Sequence, residues 1–472
     1  MKTTMPSSLV CFRFLVVAIM SLGILCGWSH GAETKLPNIV FILADDLGWG
    51  DLSCHGNTFI KTPNIDGLAR EGTDFHQFNT TSPVCSPSRA GFMTGQFPAR
   101  FGILTAIGSI NKSAEARQVD WLDPKAVMLP RLLKGAGYVT GHVGKWHLCT
   151  AQAREAPLPA AYGVDEFAFH SKVNPAIETM ISSHEDCDEA VKFLHRHRAD
   201  RFYLNVWIHE THLAHHPTPE SLEANKHLDE RQRIYAAVAT DADRGVGKVL
   251  AALKELGLEQ NTIVIFSSDN GPENTHATLK EMGGGYGGFY SIGETGGKKG
   301  RKRSLHEGGV STPFIVRWPG HVPAGRVDKT TSLNATDLLP TVCAAVGVKL
   351  PADYQPDGEN MFAAWQGKEV KRTKPIFWDW TGTVRPQECW PRWAVRDGDW
   401  KLLTDDAERR ELYHIADDRG EANNVAMEHP GLVTKLSAQL DAWKASLPKE
   451  PPAEFIANRR KAGGDEGKPK KD

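Results

Sequence analysis

Few features of this 472-residue chain point to a specialised scaffold. Its eight cysteines form no Cys-x-x-Cys pair, and no His-Glu-x-x-His run occurs, so a disulfide-rich fold and the common zinc motifs are not predicted. The formal charge of -2 argues against a general polyanion binder, and we expect no nucleic-acid partner. After the N-terminal segment, no run reaches the ~18 consecutive apolar residues typical of a membrane span.

The first 32 residues are predicted to be a signal peptide. Lys2 and Arg13 flank an otherwise uncharged start, residues 15–26 are apolar, and small residues follow up to Ala32. This is the composition of a secretory signal, and the apolar run is short for a membrane span; an uncleaved anchor is the alternative. We therefore expect export, to the periplasm or the medium in a bacterium or along the secretory and lysosomal route in a eukaryote. No transmembrane segment remains after removal of the signal.

Apolar runs alternate with segments of helical periodicity along the main part of the chain. This pattern predicts an α/β fold, with a large, mainly parallel sheet sandwiched by helices. The predicted strands are 38–43, 138–143, 202–208 and 262–267, and the predicted helices are 64–71, 129–136, 185–197 and 230–256. The run GGGYGG, residues 283–288, follows no predicted strand, so we interpret it as a mobile loop and not as a dinucleotide site.

A change of composition near residues 351–374 predicts a domain border. We assign 33–366 to the catalytic domain and 367–448 to a smaller C-terminal α+β subdomain, with short antiparallel strands, an Asp-Gly turn and a helix over 430–447. The tail, 449–472, is charged and poor in apolar residues, and we expect it to be disordered.

Polar side chains follow each of the four predicted strands. Because parallel strands end at one edge of a sheet, these groups are expected to converge, although each pair alone also fits an ordinary cap or turn. The pairs and runs are Asp45-Asp46, Lys145-Trp146-His147, 209–212 and Asp269-Asn270. Three carboxylates and an amide oxygen favour a hard cation, calcium first and magnesium second.

Cationic residues accompany this acidic group. Arg89, Lys145, His147 and the run 298–303 predict that the site holds a small oxyanion such as sulfate or phosphate. The alternative for the run 298–303 is a solvated loop.

Cys85 lies between two prolines at a predicted helix start. Ser86 suits the cap and Pro87 the first helical position, so the thiol is expected near the positive end of the helix dipole, which favours a thiolate and attracts anions. From position alone, Cys85 is a packing residue, half of a disulfide or a nucleophile.

The segment CSPSRAGFMTG, residues 85–95, resembles the signature of the formylglycine-dependent (type I) sulfatases in the alkaline phosphatase superfamily. The blocks NIVFILADDLGWGDLSCHGN, IKTPNIDGLAREG, GYVTGHVGKWHL, SSDNG and HEGGVSTPFIVRWPG are similar to other blocks of that family and occur in the same order. The resemblance extends from about Pro37 to Trp400. It implies an alkaline phosphatase-like fold and an enzyme that hydrolyses sulfate esters.

The resemblance also implies a role for each site residue. Cys85 would be oxidised to formylglycine by a separate formylglycine-generating enzyme, and the hydrated aldehyde would be the nucleophile. One calcium ion would be held by Asp45, Asp46, the modified Cys85, Asp269 and Asn270. The remaining catalytic positions are Arg89 at the formylglycine hydroxyl, Lys145 at the sulfate, His147 as the base of the elimination step, and His212 and Lys302 at the sulfate and the leaving alcohol.

Two assignments have competitors within the sequence. His209, His215 and His216 compete with His212, and other bases in KKGRKR compete with Lys302. The predicted substrate is a sulfated carbohydrate, bound by the loop 283–297 with Trp390 and Trp393, unless these tryptophans belong to the core of the small subdomain. The rival functions are a phosphatase or phosphonate hydrolase, a cysteine hydrolase, and a non-catalytic binder of sulfated glycans if Cys85 is not matured.

Overall fold

The computed structural model describes Met1 and residues 36–170, 174, 180–273, 278–382, 390–405 and 409–458. The chain divides into two compact units, Met1–Leu36 and Pro37–Asp472. The predicted signal peptide, Cys389 and the end of the predicted tail lie outside the described residues. The border predicted between residues 366 and 367 falls inside the second unit and stays a prediction.

The second unit alternates strands and helices. Its strands are β1 Asn38–Ala44, β2 Thr73–Phe75, β3 Phe78–Asn79, β4 Val139–Gly144, β5 Glu166–Ala168, β6 Phe202–Trp207, β7 Thr262–Ser268, β8 Glu281–Met282, β9 Gly285–Tyr286, β10 Phe314–Arg317, β11 Arg326–Asp328, β12 Leu333–Asn334, β13 Ile376–Asp379, β14 Trp393–Asp397, β15 Trp400–Thr404 and β16 Arg410–His414. Its helices are α1 Pro63–Glu71, α2 Cys85–Thr94, α3 Ile110–Glu115, α4 Leu129–Gly135, α5 Asp186–Arg196, α6 Pro219–Ala224, α7 Glu230–Glu255, α8 Glu307–Val310, α9 Leu338–Ala345, α10 Phe362–Trp365 and α11 Pro430–Ala445.

The large sheet has eight strands in the order β11-β2-β10-β7-β1-β6-β4-β5. Five of its seven neighbouring pairs are parallel; only β10, which pairs with β2 and β7, runs antiparallel to its neighbours. The α/β prediction is therefore confirmed. All four predicted strands are present within about one residue of their predicted ends, and they are adjacent in the centre of the sheet.

Alternate side chains of the central strands belong to two hydrophobic cores, one on each face of the sheet. In β1, Ile39, Phe41 and Leu43 join a core that includes Phe92 of α2. The intervening Val40 and Ile42 join a second core that includes residues of α5 and α7. Because successive side chains of a strand point to opposite faces, a continuous apolar run is what a strand covered on both sides requires.

The C-terminal part forms an antiparallel sheet in the order β13-β14-β15-β16, with α11 against it. The predicted Asp-Gly turn is confirmed: Gly398 joins β14 to β15 with φ +61°. The core of this sheet includes Trp378 and Trp443 and extends to Val84 and Val310 of the main part. The residue before Cys85 is thus anchored by the small sheet.

Two local expectations differ from the structure. Helix α2 begins at Cys85 with Val84 as its N-cap, and the Ser86 hydroxyl accepts a hydrogen bond from the Ile107 backbone N–H (2.9 Å) instead of capping the helix. The glycine-rich run 283–288 supplies the turn and the second strand of a short antiparallel hairpin, β8–β9, whose turn residues Gly283 and Gly284 both have positive φ. Positive φ at both turn positions suits glycine and explains this composition.

Candidate active site

The carboxyl ends of four adjacent parallel strands form one edge of the sheet. In the order β7, β1, β6 and β4, they are followed by Asp269-Asn270, Asp45-Asp46, a loop with His209 and His212, and a loop with Lys145 and His147. The predicted convergence at this edge is therefore confirmed. The N-terminus of α2 brings Cys85 to the same place.

The centre of the site is a buried carboxylate cluster. Asp45, Asp46 and Asp269 are each fully buried. The Asp46 backbone N–H donates to Asp269 Oδ1 (3.2 Å), and Asp46 itself has φ +63°, a conformation that aspartate tolerates better than most residues. The left-handed turn directly after β1 lets two consecutive acidic side chains enter one site.

Each carboxylate has its own cationic partner. Arg89 binds Asp269 Oδ2 through both Nε (2.9 Å) and Nη2 (2.6 Å). Lys145 Nζ lies 2.7 Å from Asp45 Oδ2, and Lys302 Nζ lies 2.5 Å from Asp46 Oδ2. Three separate ion pairs allow three acidic groups to be buried within one small volume.

The three carboxyl groups differ in proton affinity. Burial raises the pKa of each, but at Asp45 the charges of Lys145 and Arg89, with a hydrogen bond to His209, outweigh burial and hold its pKa well below the ordinary range. Burial raises the pKa of Asp46 to about 7 against the opposing effect of Lys302. Burial also raises the pKa of Asp269. The raised pKa values of Asp46 and Asp269 mean that the cluster would bind additional positive charge, either protons or a metal ion.

Cys85 Sγ lies in contact with this cluster. It is 3.4 Å from Asp45 Oδ1 and 3.4 Å from Lys145 Nζ. Burial and the charge of Asp269 raise the pKa of the Cys85 thiol, and Lys145 only partly offsets them. Burial among carboxylates therefore opposes the thiolate that the position at the helix start was expected to favour. Cys85 is also not half of a disulfide, since all five described cysteines of the second unit are free.

Histidines line the open side of the cluster. His147 Nε2 contacts the Ile107 carbonyl oxygen (2.8 Å), and its buried Nδ1 has no hydrogen-bond partner among the described residues. His212 Nε2 lies 3.8 Å from Asp46 Oδ2. Burial, together with the charge of Lys145, lowers the pKa of both imidazoles well below the ordinary value. Both rings are therefore neutral near pH 7.

A cavity of about 430 Å³ opens onto these groups. Its lining includes Lys145, His147 and Gln152, together with the histidines His170, His209 and His212. Trp393 does not line it: this residue is 6 % exposed and packs in the core of the small sheet. The alternative that Trp393 is a core residue is therefore the correct one, and Trp390 does not line the cavity either.

The run 298–303 is an ion-paired segment and not a solvated patch. Lys298 and Lys302 are buried, Lys299 pairs with Glu411, and Arg303 pairs with Glu273. Among these cations, Lys302 is the one that reaches the carboxylate cluster, because its Nζ contacts Asp46.

Two cavity histidines add to the predicted set. His209 Nδ1 contacts Asp45 Oδ2 (2.9 Å), and its ring stacks between those of His170 and His212 with centroid distances of 4.6 and 4.7 Å. The sequence offered His209 only as a competitor of His212, whereas the structure brings both to the site. His170 was missed because β5, the strand before it, has only three residues.

The donor set fits a hard cation. Asp45, Asp46, Cys85 and His212 offer ligand atoms within 4.8 Å of one another. Asn270 Nδ2 donates to Asp46 Oδ1 (2.7 Å), while the buried Asn270 Oδ1 has no donor among the described residues. Asp269 lies beside this group and is occupied by Arg89. A buried amide oxygen without a donor next to carboxylates is what an oxygen-seeking cation requires.

Comparison with known proteins identifies the family. The family model for sulfatases matches residues 37–348, which include every site residue described above. The chain belongs to the sulfatase family. Residues 297–446 of this sulfatase also match the model for the C-terminal part of N-sulphoglucosamine sulphohydrolase. The chain is accordingly a sulfuric ester hydrolase with an alkaline phosphatase-like fold.

Relatives of known name support this assignment. The sulfatase is 32% identical to N-acetylgalactosamine-6-sulfatase of Sus scrofa, over 72% of this chain and 68% of that protein. It is 30% identical to steryl-sulfatase of Mus musculus, over 74% of this chain and 68% of that protein. The crystal structure of Ps i-CgsB in complex with k-i-k-neocarrahexaose aligns with a TM-score of 0.75 and 26% identity, covering 91% of this chain and 96% of that one.

No helix in the described part of the sulfatase is both long and apolar enough to cross a membrane.

Proposed function

We propose that this sulfatase is an exported, calcium-dependent enzyme that removes sulfate from a sulfated carbohydrate, with formylglycine made from Cys85 as its nucleophile. The observation that carries the proposal is the position of Cys85 Sγ, 3.4 Å from both Asp45 Oδ1 and Lys145 Nζ, the latter a residue of the cavity lining. A reactive group at this position has a carboxylate on one side, which can help to hold a metal ion, and an ammonium on the other to hold an anion.

Maturation explains why a cysteine stands at this position. The unmodified thiol has a raised pKa and is a poor nucleophile at neutral pH. Formylglycine supplies a hydrated aldehyde, whose hydroxyl can attack sulfur and whose aldehyde can form again when sulfate leaves. A formylglycine-generating enzyme is therefore the proposed maturation partner.

Asp45, Asp46, Asp269 and Asn270 would hold the calcium ion, beside the modified Cys85. Calcium supplies positive charge for the nucleophile and the sulfate. Arg89 donates hydrogen bonds to Asp269 Oδ2 and to the Lys145 carbonyl oxygen (3.0 Å), and these contacts fix the position of the Asp269 carboxylate. The raised pKa of Asp46 supports this assignment, as does Asn270 Oδ1, which receives no hydrogen bond from the described residues.

The cavity cations and histidines have separate tasks in this proposal. Lys145 and Lys302 keep their protons because Asp45 and Asp46 outweigh burial and raise their pKa, so both offer positive charge to the sulfate. His147 is neutral and its Nδ1 has no hydrogen-bond partner in the part of the chain that the structure describes, so it accepts the proton that must leave when sulfate is released. His212 lies beside the sulfate and the leaving alcohol and shares the role of acid with Lys302. Because its Nδ1–H is directed at the Leu213 carbonyl oxygen, it donates through Nε2 as an imidazolium, a form that the bound sulfate anion favours.

Carbohydrate is the substrate class that the relatives favour. N-acetylgalactosamine-6-sulfatase is named for a sugar sulfate, and Ps i-CgsB was crystallised with a hexaose. The cavity is lined by polar groups such as Gln152 and Ser109 beside the histidines, which suits sugar hydroxyls. Export follows from the composition of residues 1–32 and is tested by N-terminal sequencing of the mature protein.

A substrate panel tests this function. The matured enzyme is offered a sulfated N-acetylgalactosamine, a sulfated galactan oligosaccharide, a steryl sulfate and the phosphate ester matching the best sulfate. Release of sulfate from a carbohydrate, lost with EGTA and restored by calcium, is expected. Faster hydrolysis of the phosphate ester would favour the phosphatase alternative, and preference for the steryl sulfate would overturn the substrate class.

A further inference from the structure

A second cluster of metal-binding side chains lies outside the active site, where a 3-10 turn, Ser53–His55, packs against β2. Cys54, His55 and Asp74 offer ligand atoms within 4.8 Å of one another. His76 joins them, because its Nε2 lies 3.2 Å from Asp74 Oδ2. Asp74 lies on β2 and His76 lies in the turn that follows this strand, and the turn brings the His76 ring to the Asp74 carboxylate.

The hydrogen bond of His55 Nδ1 leaves the other ring nitrogen, Nε2, as an acceptor that faces a second acceptor, Asp74 Oδ2. His55 Nδ1 lies 2.7 Å from the Trp49 carbonyl oxygen, which can only accept, so Nδ1 carries a proton. In the neutral ring, Nε2 then has a lone pair, yet it lies 2.8 Å from Asp74 Oδ2, an ionised carboxylate oxygen. This contact needs a positive centre between the two atoms, either a second ring proton or a metal ion.

The surroundings have the features of a metal site. A metal-binding histidine usually donates its other N–H to a carbonyl or carboxylate, as His55 does to Trp49. The Trp49 indole also stacks on the His55 ring with a centroid distance of 4.0 Å and fixes its orientation. Asp74 is 3 % exposed, and its Oδ1 is buried with no hydrogen-bond partner among the described residues.

Two of the distances between these side chains are near those of tetrahedral coordination. Zinc–nitrogen and zinc–oxygen bonds of about 2.0 Å place neighbouring ligand atoms about 3.3 Å apart. The Asp74 Oδ2 contacts to His55 and His76, 2.8 and 3.2 Å, are close to this separation. One thiolate, one carboxylate and two imidazoles together balance the charge of a divalent ion and are ligands that zinc accepts.

We propose that Cys54, His55, Asp74 and His76 form a structural site for a divalent transition metal, best suited to zinc. Binding displaces the Cys54 thiol proton and any second proton on the ring of His55. The metal ties the turn Ser53–His55 to β2. This turn follows the loop that carries Asp45 and Asp46, so the site secures the chain segment that leaves the active site.

Cobalt is the probe for this proposal, because a cobalt–thiolate bond gives a charge-transfer band in the near ultraviolet. The full chain is used with Cys85→Ala, which removes the active-site thiol, and with EGTA, which keeps the hard-cation site free of calcium. Thiol titration first verifies that residue 54 is reduced. One equivalent of cobalt is expected to produce the band, and zinc is expected to displace it.

Variants locate the metal. Cys54→Ser is expected to abolish the band, and His76→Gln to weaken cobalt binding at least about tenfold; both side chains lie near the surface, and circular dichroism verifies that the variants fold. His195→Ala, at an exposed histidine on α5, is the matched control and is expected to leave binding unchanged. Absence of the band, or a band that survives Cys54→Ser, would overturn the proposal; the first result would leave His55 as an imidazolium paired with Asp74.

Discussion

At the scale of single residues, the active site depends on which groups are charged and which are not. Burial makes His147 and His212 neutral, whereas Asp46 and Glu273 keep a proton on Lys302. A neutral base that lines the cavity and a buried cationic group beside Asp46 thus belong to the same site. This separation gives each of them a distinct kinetic consequence.

His147→Ala is expected to release the alcohol once and then stall, since the proposed task of His147 follows departure of the alcohol. Rapid mixing with a chromogenic sulfate ester should give a burst near one equivalent per matured site and slow turnover afterwards. The peptide that contains residue 85 should then carry one sulfo group, roughly 80 Da. Normal substrate binding with neither burst nor added mass would move His147 into the first step.

Lys302→Ala is expected to slow the first step instead, because the sulfate and the leaving alcohol lose a cationic partner. kcat/KM should fall about 100-fold or more without a burst. Lys299→Ala is the matched control: this lysine of the same segment pairs with Glu411, away from the cluster, and its loss should change kcat/KM little. A burst with Lys302→Ala would exchange the roles of Lys302 and His147.

The identity of the site residues was largely readable from the sequence, whereas their partners were not. Asp45, Asp46, Asp269 and Asn270 end long apolar runs, a signal that survives without a structure. The raised pKa of Cys85 was missed, since it depends on burial next to Asp269, 184 residues away along the chain. The contact of His209 with Asp45 was missed as well, because the four histidines between residues 209 and 216 look alike in sequence.

At the scale of elements, the small sheet is locked to the main part by buried charge. Lys401 on β15 is fully buried, and its Nζ lies 2.7 Å from Glu307 Oε1 on α8 and 3.1 Å from Glu421 Oε1. Burial raises the pKa of Glu307, but Lys401 and Arg396 outweigh it and lower the value to about 2. This ion pair joins β15 of the small sheet to α8 of the main part, a helix that begins five residues after Lys302.

Lys401→Met is expected to cost about 3–5 kcal/mol of unfolding free energy at pH 7, because it leaves two buried carboxylates without their cation. In the wild type, Glu307 contributes stability above its unfolded pKa of about 4.3, and this stability is lost as pH falls through about 2. The variant should therefore lose less stability, relative to wild type, at pH 4 than at pH 7. Urea unfolding at both pH values measures this difference.

Lys435→Met is the control for this prediction, since Lys435 is an exposed lysine paired with Asp397 on the neighbouring strand. It should cost less than about 1 kcal/mol at either pH. An equal cost for the two variants at pH 7 would show that the pair of Lys401 with Glu307 adds nothing to the joint between the sheets.

Elements were predictable in proportion to their length. The central strands β1, β6 and β7 have six or seven residues and read as continuous apolar runs. Strands β2, β3, β5 and β11 have two or three residues, too few for any periodicity, and depend on pairing with distant segments. The antiparallel strand β10 was not predicted, although the sequence block that contains it, HEGGVSTPFIVRWPG, was recognised as similar to a block of the family.

At the scale of the whole molecule, calcium and stability are expected to be linked. Four of the proposed ligands directly follow β1 and β7, the strands at the centre of the large sheet. Because only the folded chain brings these ligands together, a bound ion stabilises the folded state by mass action. Calcium at 100 times its Kd should contribute about 2.7 kcal/mol. EGTA should lower Tm and abolish activity together, and calcium should restore both.

Asn270→Ala should weaken the dependence of Tm on calcium while the protein stays folded, because it removes one neutral ligand. Asn261→Ala, at the amino end of β7, is the matched control and should keep the full calcium effect. An unchanged calcium dependence in Asn270→Ala would remove this residue from the ligand set.

The most direct test of the account compares maturation with activity. Preparations that differ in the extent of maturation are digested, and the fraction of the peptide around residue 85 that is about 18 Da lighter than the cysteine form is measured by mass spectrometry. The rate of sulfate release from the preferred sulfated sugar is measured on the same samples. The account predicts that the rate rises in proportion to the modified fraction and vanishes in Cys85→Ala. Equal rates in unmodified and modified preparations would contradict it.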